Sequence, residues 1–378
     1  MGDIKIPQPP PNARDVFIEK RAKKLTSRFG SLFNSIKTVE KIFFVQTLAV
    51  LIKAGFSLSN ALSTVAKQTK RKRLKEIIES IAHDVEEGQT FAASLRKFEK
   101  VFDPLFINMV ESGEVSGKLE MTLRQLAVQL KESHTLHMKV RNAMAYPVII
   151  LITMLGIGTG MMIFVIPKIV DLYRNDMDKL PFVTKLVIYI SDFVVNRGIL
   201  TVCIAVGVCG IAYLLYRNEK IKVFLHHLML RMPLFGTLFV EFNLARISRV
   251  FHSLISTDIS VVHTFQTIAK TVGNRSYKKY LNEAVAQLEK GTTIGVVLSN
   301  DKVLFPATMV EIMIVGEQSG SLDEMSGELA EHYEEEVASA LDGLSVLIEP
   351  ILMLFLGVGV GTIAVAVLWP MYNLVNVI

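Results

Sequence analysis

Residues Val110–Glu120, VESGEVSGKLE, hold the side chains and glycines that a phosphate cradle uses: Gly113, Gly117 and Lys118 in one short run ahead of a helical pattern. A phosphate-binding loop encloses four residues between its glycines and follows its lysine with Ser or Thr, whose hydroxyl ligates magnesium. Here three residues lie between Gly113 and Gly117, Leu119 follows Lys118, and no strand pattern precedes the run. A second version, VGEQSGSLDE at Val315–Glu324, has Ser321 where the lysine would stand. These departures argue against nucleotide binding. What both versions keep is Gly-Glu-x-Ser-Gly-x-Leu, which reads as a tight turn between helices. In that reading Gly113 and Gly316 end one helix, and Ser116-Gly117 and Ser319-Gly320 bend the chain. Ser321-x-x-Glu324 has the form of a capping box for the next helix. Glu114 and Glu317 are placed to accept hydrogen bonds from free amides. A surface contact for a partner protein is an equal reading of the same turn.

The remaining reactive types form no site. His134 and His137 share a helix face, but no Cys or carboxylate set completes a metal site. Cys203 and Cys209 stand six apart in an apolar run, too distant on one helix to pair. No nucleophile elbow, zincin signature or glycine-rich cofactor loop is present. No catalytic residue, cofactor or metal is assigned, and the chain is read as non-enzymatic.

What must position these turns is a membrane protein. The 378 residues are 51% hydrophobic and only 20% charged, too apolar for an ordinary soluble chain. Three apolar runs account for the excess: 147–167 and 198–216, both uncharged, and 347–370, with Glu349 and Pro350 at its edge. About 20 helical residues span the roughly 30 Å hydrocarbon core. Polar groups at mid-membrane, as a solute transporter or channel would need, are nearly absent. Gly156 and Gly160, and likewise Gly357 and Gly361, put small residues on one helix face. Such faces serve close packing within the chain or against another chain's helix.

Aligned with itself at an offset of 203, the chain repeats without gaps. Gly88 meets Gly291, Gly113-Glu114 meets Gly316-Glu317, Pro147 meets Pro350 and Pro167 meets Pro370. The unit of about residues 44–167 is duplicated. Each unit is a polar region followed by an apolar run, so 198–216 must return the chain between them. Lys and Arg flank the first run's start and the second run's end, which places both polar domains in the cytoplasm. The expected organisation is a mobile cytoplasmic arm at 1–40, with no signal-peptide pattern, and a first cytoplasmic domain at 41–146. A transmembrane helix at 147–167, a periplasmic segment at 168–197 and a second transmembrane helix at 198–216 follow. The second cytoplasmic domain is 217–346, the third transmembrane helix 347–370, and a periplasmic tail 371–378. The fold class is an all-α membrane protein, with two homologous helical bundles of about six helices each and three transmembrane helices. Ser57, Ser260, Thr90 and Thr293 are expected N-caps, Gly88 and Gly291 expected stops, and Pro104 and Pro306 first-turn residues.

The two copies differ in charge. Residues 41–146 carry 16 basic and 11 acidic side chains, and 246–349 carry 8 and 15. The basic run Lys67–Lys75 and the acidic run Asp323–Glu336 mark the contrast. They are solvated faces, or surfaces that pair with each other or with different partners. No aromatic residues interleave with the basic run, against a nucleic-acid surface.

The duplicated Gly-Glu-x-Ser-Gly-x-Leu turn resembles that of the type II secretion F protein and type IV pilus inner-membrane platform family. So do FFVQTLAVLIKAGFSL (43–58), KVRNAMAYPVII (139–150), LPFVTKLVIYISDF (180–193) and IEPILMLFLGVGVG (348–361). The resemblance covers about residue 40 to the end. One departure is Asp258, where the first copy has Gly55 at a turn the family usually gives to glycine. The resemblance implies a scaffold in the bacterial inner membrane that forms homo-oligomers. Its partners would be a cytoplasmic assembly ATPase, pilin or pseudopilin transmembrane helices, and other machine components. A small-solute transporter or channel subunit is the alternative.

Overall fold

The computed structural model describes residues 36–172, 182–198 and 235–375, with isolated positions between 200 and 232. Most of the expected arm at 1–40 and of the expected membrane run at 198–216 lies outside the described residues. Every regular element described is an α-helix. In chain order they are α1 (Thr38–Lys53), α2 (Leu58–Gln68), α3 (Lys72–Glu86), α4 (Phe91–Arg96), α5 (Pro104–Val115), α6 (Leu119–Phe164), α7 (Ile166–Leu172) and α8 (Phe182–Asn196). The second series is α9 (Phe235–Ile255), α10 (Val261–Thr271), α11 (Arg275–Leu288), α12 (Ile294–Ser299), α13 (Ala307–Ser319) and α14 (Leu322–Val375). The chain divides into two compact units, Met1–Lys131 and Glu132–Ile378.

The duplication holds at the level of helix starts. Leu58 and Val261, Lys72 and Arg275, Phe91 and Ile294, Pro104 and Ala307, and Leu119 and Leu322 each begin a helix, and every pair keeps the offset of the sequence repeat. The local causes repeat as well. Ser57 and Ser260 accept the backbone N–H of Asn60 and His263. Each thereby occupies one of the free donors of a helix start. Gly88 and Gly291 adopt positive φ, +91° and +84°, just past α3 and α11. A glycine in this conformation is the common way for a helix to stop. Thr90 caps α4 through the Ala93 amide, whereas Thr293 stands at the cap of α12 without a side-chain bond. Pro104 occupies the first turn of α5, but Pro306 is the N-cap of α13, one step earlier than expected.

Each unit closes on an apolar core. In the first, the rings of Phe44, Phe102 and Phe106 line up, with centroids 6.0 and 4.8 Å apart, over buried Leu48, Leu62, Ile78, Ile81 and Leu95. In the second, Phe251 meets Phe265 edge-on, as Tyr277 meets Phe305. The matching first-copy positions are Leu48 and Leu62, Leu74 and Phe102. The copies thus keep helix positions while redistributing core volume, a change that packed cores tolerate when total volume is kept.

Two helices among the described residues are long and apolar enough to cross a membrane, Leu119–Lys168 and Leu322–Thr362. Only 6% and 12% of their apolar windows are buried, so neither is the core helix of a soluble fold. Three such helices were expected; the third expectation rests on 198–216. The structure also joins what the sequence reading separated. The expected first domain (41–146) and the expected span (147–167) share one helix, α6, of 46 residues. At a rise of about 1.5 Å per residue it is about 70 Å long. It passes through Pro147, which is buried. Likewise α14 runs unbroken for 54 residues. The expected periplasmic segment 168–197 is no simple connector, since it carries α8.

Asp258 has φ +60°, the only non-glycine with positive φ among the described residues, at the turn where Gly55 has φ +88°. An L side chain in that region costs about 1–2 kcal/mol. Asp258→Gly is therefore expected to raise the urea unfolding midpoint of the full chain in detergent, and Gly55→Ala to lower it. A drop for Asp258→Gly would contradict the assigned strain.

Candidate functional site

The repeated turn is built by three helices. In the first copy α5 ends at Val115, Gly117 takes φ +70°, and α6 begins at Leu119. In the second, Gly320 takes φ +74° at the C-cap of α13, and α14 begins at Leu322. Gly117 and Gly320 are thus the residues that let the chain reverse. Gly113 and Gly316 do not end a helix, contrary to expectation. They lie inside α5 and α13, buried where the next helix presses closest. A Cβ on Gly113 would stand 2.5 Å from the Thr122 Oγ1, and one on Gly316 would stand 3.0 Å from the Met325 Cβ. Gly113 is required by contact rather than by backbone angle, and at Gly316 the Met325 side chain would have to give way for a Cβ.

Glu114 and Glu317 point the other way, to a helix earlier in the chain. The Glu114 carboxylate accepts the Phe91 N–H at 2.7 Å and the Ala92 N–H at 3.0 Å. The Glu317 carboxylate accepts the Ile294 N–H at 2.9 Å and the Gly295 N–H at 3.3 Å. Each carboxylate therefore closes the first two amides of a six-residue helix, α4 or α12. So short a helix leaves most of its donors without internal partners, and an anion at its N-terminus answers both the hydrogen-bond deficit and the helix dipole. Both carboxylates are half-buried, and these bonds occupy them with backbone rather than substrate. Ser116, Gly117 and Lys118, and Ser319 and Gly320, are exposed around them. The Ser319 and Ser321 hydroxyls lie 2.6 Å apart.

The other singled-out residues lie along the apolar stretches, away from the turns in sequence. Glu349 and Pro350 are exposed on α14, and Pro147 is buried in α6. A Cβ on Gly156, Gly160, Gly357 or Gly361 would meet nothing within 4 Å. Gly359, by contrast, has a near neighbour: its Cβ position is 3.6 Å from the Met154 methyl.

Copy-specific polar pairs surround this shared frame, and sequence reasoning missed them. In the first copy Lys97 bonds Asp84 at 2.7 Å, and Arg71 of the basic run bonds Glu40 at 3.1 Å. In the second, Arg249 of α9 makes a two-point bond to Glu334 of α14, at 2.7 and 2.8 Å. Glu334 thereby leaves the solvated acidic face, where Asp323, Glu324, Glu328, Glu331, Glu335 and Glu336 are exposed. The repeat places Gln46 and Lys131 at the positions of Arg249 and Glu334, so comparison of the copies was the one signal available. Glu241 of α9 is a further case. Its Oε2 is enclosed without a hydrogen-bond partner, and its carboxyl is pushed up to about 7 by burial and then by the charge of Glu336. Among the described residues, no group of three or more His, Cys, Asp or Glu could hold a metal ion.

Comparison with known proteins follows the same duplication. The type II secretion system protein F family profile matches residues 44–167 and again 247–370, together more than half of the chain. The chain belongs to the type II secretion system protein F family. Its relatives include the type IV pilus assembly protein PilC of Pseudomonas aeruginosa, 30% identical over 95% of this chain and 96% of the relative. PilC of Thermus thermophilus is 30% identical over 88% and 82%. The type II secretion system protein F of Aeromonas hydrophila is 28% identical over 95% and 92%. In this chain's first matched repeat, Gly113 and Glu114 tie α4, α5 and α6 together.

The Glu241 carboxyl makes stability pH-dependent. An unfolded glutamate titrates near 4.5, so between that pH and about 7 the folded chain binds more protons than the unfolded one. Stability therefore falls as pH rises through this window. Glu241→Gln is expected to remove the fall, read as unfolding midpoints of the full chain in detergent at about pH 5 and about pH 8. An unchanged pH profile would contradict the placement of Glu241.

Proposed function

We propose that this chain is the inner-membrane platform protein of a type IV pilus or type II secretion machine. In this reading it couples a cytoplasmic assembly ATPase to the insertion of pilin or pseudopilin subunits into a filament. The observation that carries the reading is that the apolar stretch of each matched repeat continues a helix of the polar domain, as α6 and α14. A rod of about 70 Å is stiff along its axis, so displacement of the polar end is delivered to the membrane end. The Gly-Glu pair supplies the grip: the glycine seats the rod against α5 or α13, and the carboxylate holds the short helix α4 or α12 to the same place.

Both polar domains lie in the cytoplasm, and three helices, including 198–216, cross the inner membrane. The exposed edges of the turns at Gly113–Gly117 and Gly316–Gly320 are where the ATPase bears on the domains. The open glycine faces at Gly156, Gly160, Gly357 and Gly361 receive a second copy of the chain or the helix of a pilin. Glu349, exposed beside Pro350 at the head of the third span, meets an incoming helix there, and Pro147 marks the same level in the first copy. No residue has a catalytic role, and nucleotide hydrolysis belongs to the partner.

Site-specific photo-cross-linking in cells that assemble the machine tests this. A probe at Lys118 or Ser319 is expected to capture the assembly ATPase, and one at Gly156 or Gly357 a pilin or another copy of this chain. Absence of ATPase and pilin adducts from every position, with the protein present in the membrane at its normal level, would overturn the proposal.

A further inference from the structure

The helix α8, Phe182–Asn196, has three faces of different chemistry. At about 100° of rotation per residue, Phe182, Leu186, Tyr189 and Ile190 fall on one stripe about 100° wide. They are 78%, 48%, 74% and 40% exposed. Val187 and Ser191 fall on a second face and are buried at 7% and 2%. Lys185, Asp192 and Asn196 fall on a third, all exposed, with Asn196 donating to Asp192. Val195 is the one exposed large apolar side chain of this helix off the first stripe, among those described. A helix with one protein face needs only two chemistries. A third, apolar and open, beside a polar one is the pattern of a helix lying at a membrane surface.

The buried face fixes the depth. Ser191 Oγ donates to the Met162 carbonyl at 2.6 Å. Met162 lies in the last turn of α6, where helix carbonyls run short of donors from the same helix. It also lies near the end of the apolar run 147–167, close to the edge of the hydrocarbon core, where a donor from the protein satisfies a carbonyl that lipid cannot. The helix that supplies the donor must itself sit at that level. It packs against α7 and against α14, the other long apolar helix. Tyr189 on the open stripe is the aromatic type that favours the lipid headgroup level, and Lys185 can extend from there to water.

We propose that α8 is an interfacial helix. Its Phe182–Leu186–Tyr189–Ile190 stripe lies in the lipid headgroup and acyl boundary, at the level where α6 leaves the membrane, and its Lys185–Asp192–Asn196 face lies in water. This rests on the membrane reading above and goes beyond it, since α8 runs along the surface rather than across. Anchored there, α8 fixes the vertical position of α6 through Ser191 and of α14 through packing.

Spin-label accessibility of the full chain in lipid nanodiscs tests this, in a background with Cys203→Ala and Cys209→Ala. Single cysteines replace Phe182, Leu186, Tyr189 and Ile190 on the stripe, Lys185, Asp192 and Asn196 on the polar face, and Leu155 as a control within the first span. Labels at 155, 182, 186, 189 and 190 are expected to collide with oxygen more than with a water-soluble nickel chelate. Labels at 185, 192 and 196 are expected to do the reverse, with equal depth at 182 and 189. Nickel access at the stripe with Leu155 in lipid would overturn the inference alone. So would a depth changing steadily from 182 to 196, which means a crossing helix, or a stripe screened from both probes, which means a protein covers it. Nickel access at Leu155 would overturn the membrane reading itself, and the inference with it. Should labelled variants misfold, Tyr189→Trp with Trp369→Phe, the chain then holding one tryptophan, gives a second readout. Strong quenching by lipids brominated near the headgroup supports the inference, and no quenching contradicts it.

Discussion

The structure depends on one repeated interaction: a carboxylate that closes the first amides of a short helix while the glycine before it admits a long one. Glu114 and Glu317, at matching places in the two copies, make the same two bonds to α4 and α12. Helices this short cannot sustain themselves alone, because nucleation costs more than so few hydrogen bonds return. The carboxylate supplies what the helix lacks. Its neighbours Gly113 and Gly316 bring α6 and α14 close, so that a Cβ would collide at the first and be tightly pressed at the second. Three helices are thus held by two adjacent residues, and the last of the three continues into the apolar stretch.

Around this frame the two copies have separated in chemistry while keeping their backbone. Tyr277 fills the place of Leu74 and satisfies its buried hydroxyl on the Leu304 carbonyl at 2.8 Å. Arg249 and Glu334 replace a glutamine and a lysine. Truncating either partner alone would strand a poorly hydrated charge, so the pair constrains the second copy more than it stabilises it. The acidic face of α14 remains solvated, whereas in the basic run of the first copy Lys67, Lys70 and Lys72 are exposed and Arg71 turns to Glu40.

Much of this was legible in the sequence, because the signals are local or periodic. Ser57, Ser260, Gly88 and Gly291 mark helix ends through backbone chemistry that acts within a few residues. The offset repeat needed no structure at all. The role of Gly113 was misread because a glycine near a turn has two uses, a special backbone angle or close contact, and only packing distinguishes them. The target of Glu114 was only half legible: a carboxylate beside a turn predicts an amide partner, but not one 22 or 23 residues earlier. The Arg249–Glu334 pair joins helices far apart in the chain, the enclosure of Glu241 depends on packing, and neither carries a periodic signature. The continuity of α6 through Pro147 was not legible, because proline normally interrupts a helix.

Hydrogen exchange at the starts of α4 and α12, read on the full chain in detergent, tests the carboxylate frame most directly. The account predicts slow exchange at the amides of Phe91, Ala92, Ile294 and Gly295. In Glu114→Gln, exchange should accelerate at Phe91 and Ala92 and stay unchanged at Ile294 and Gly295, with Glu317→Gln giving the converse. Unaltered protection at Phe91 and Ala92 in Glu114→Gln would contradict it.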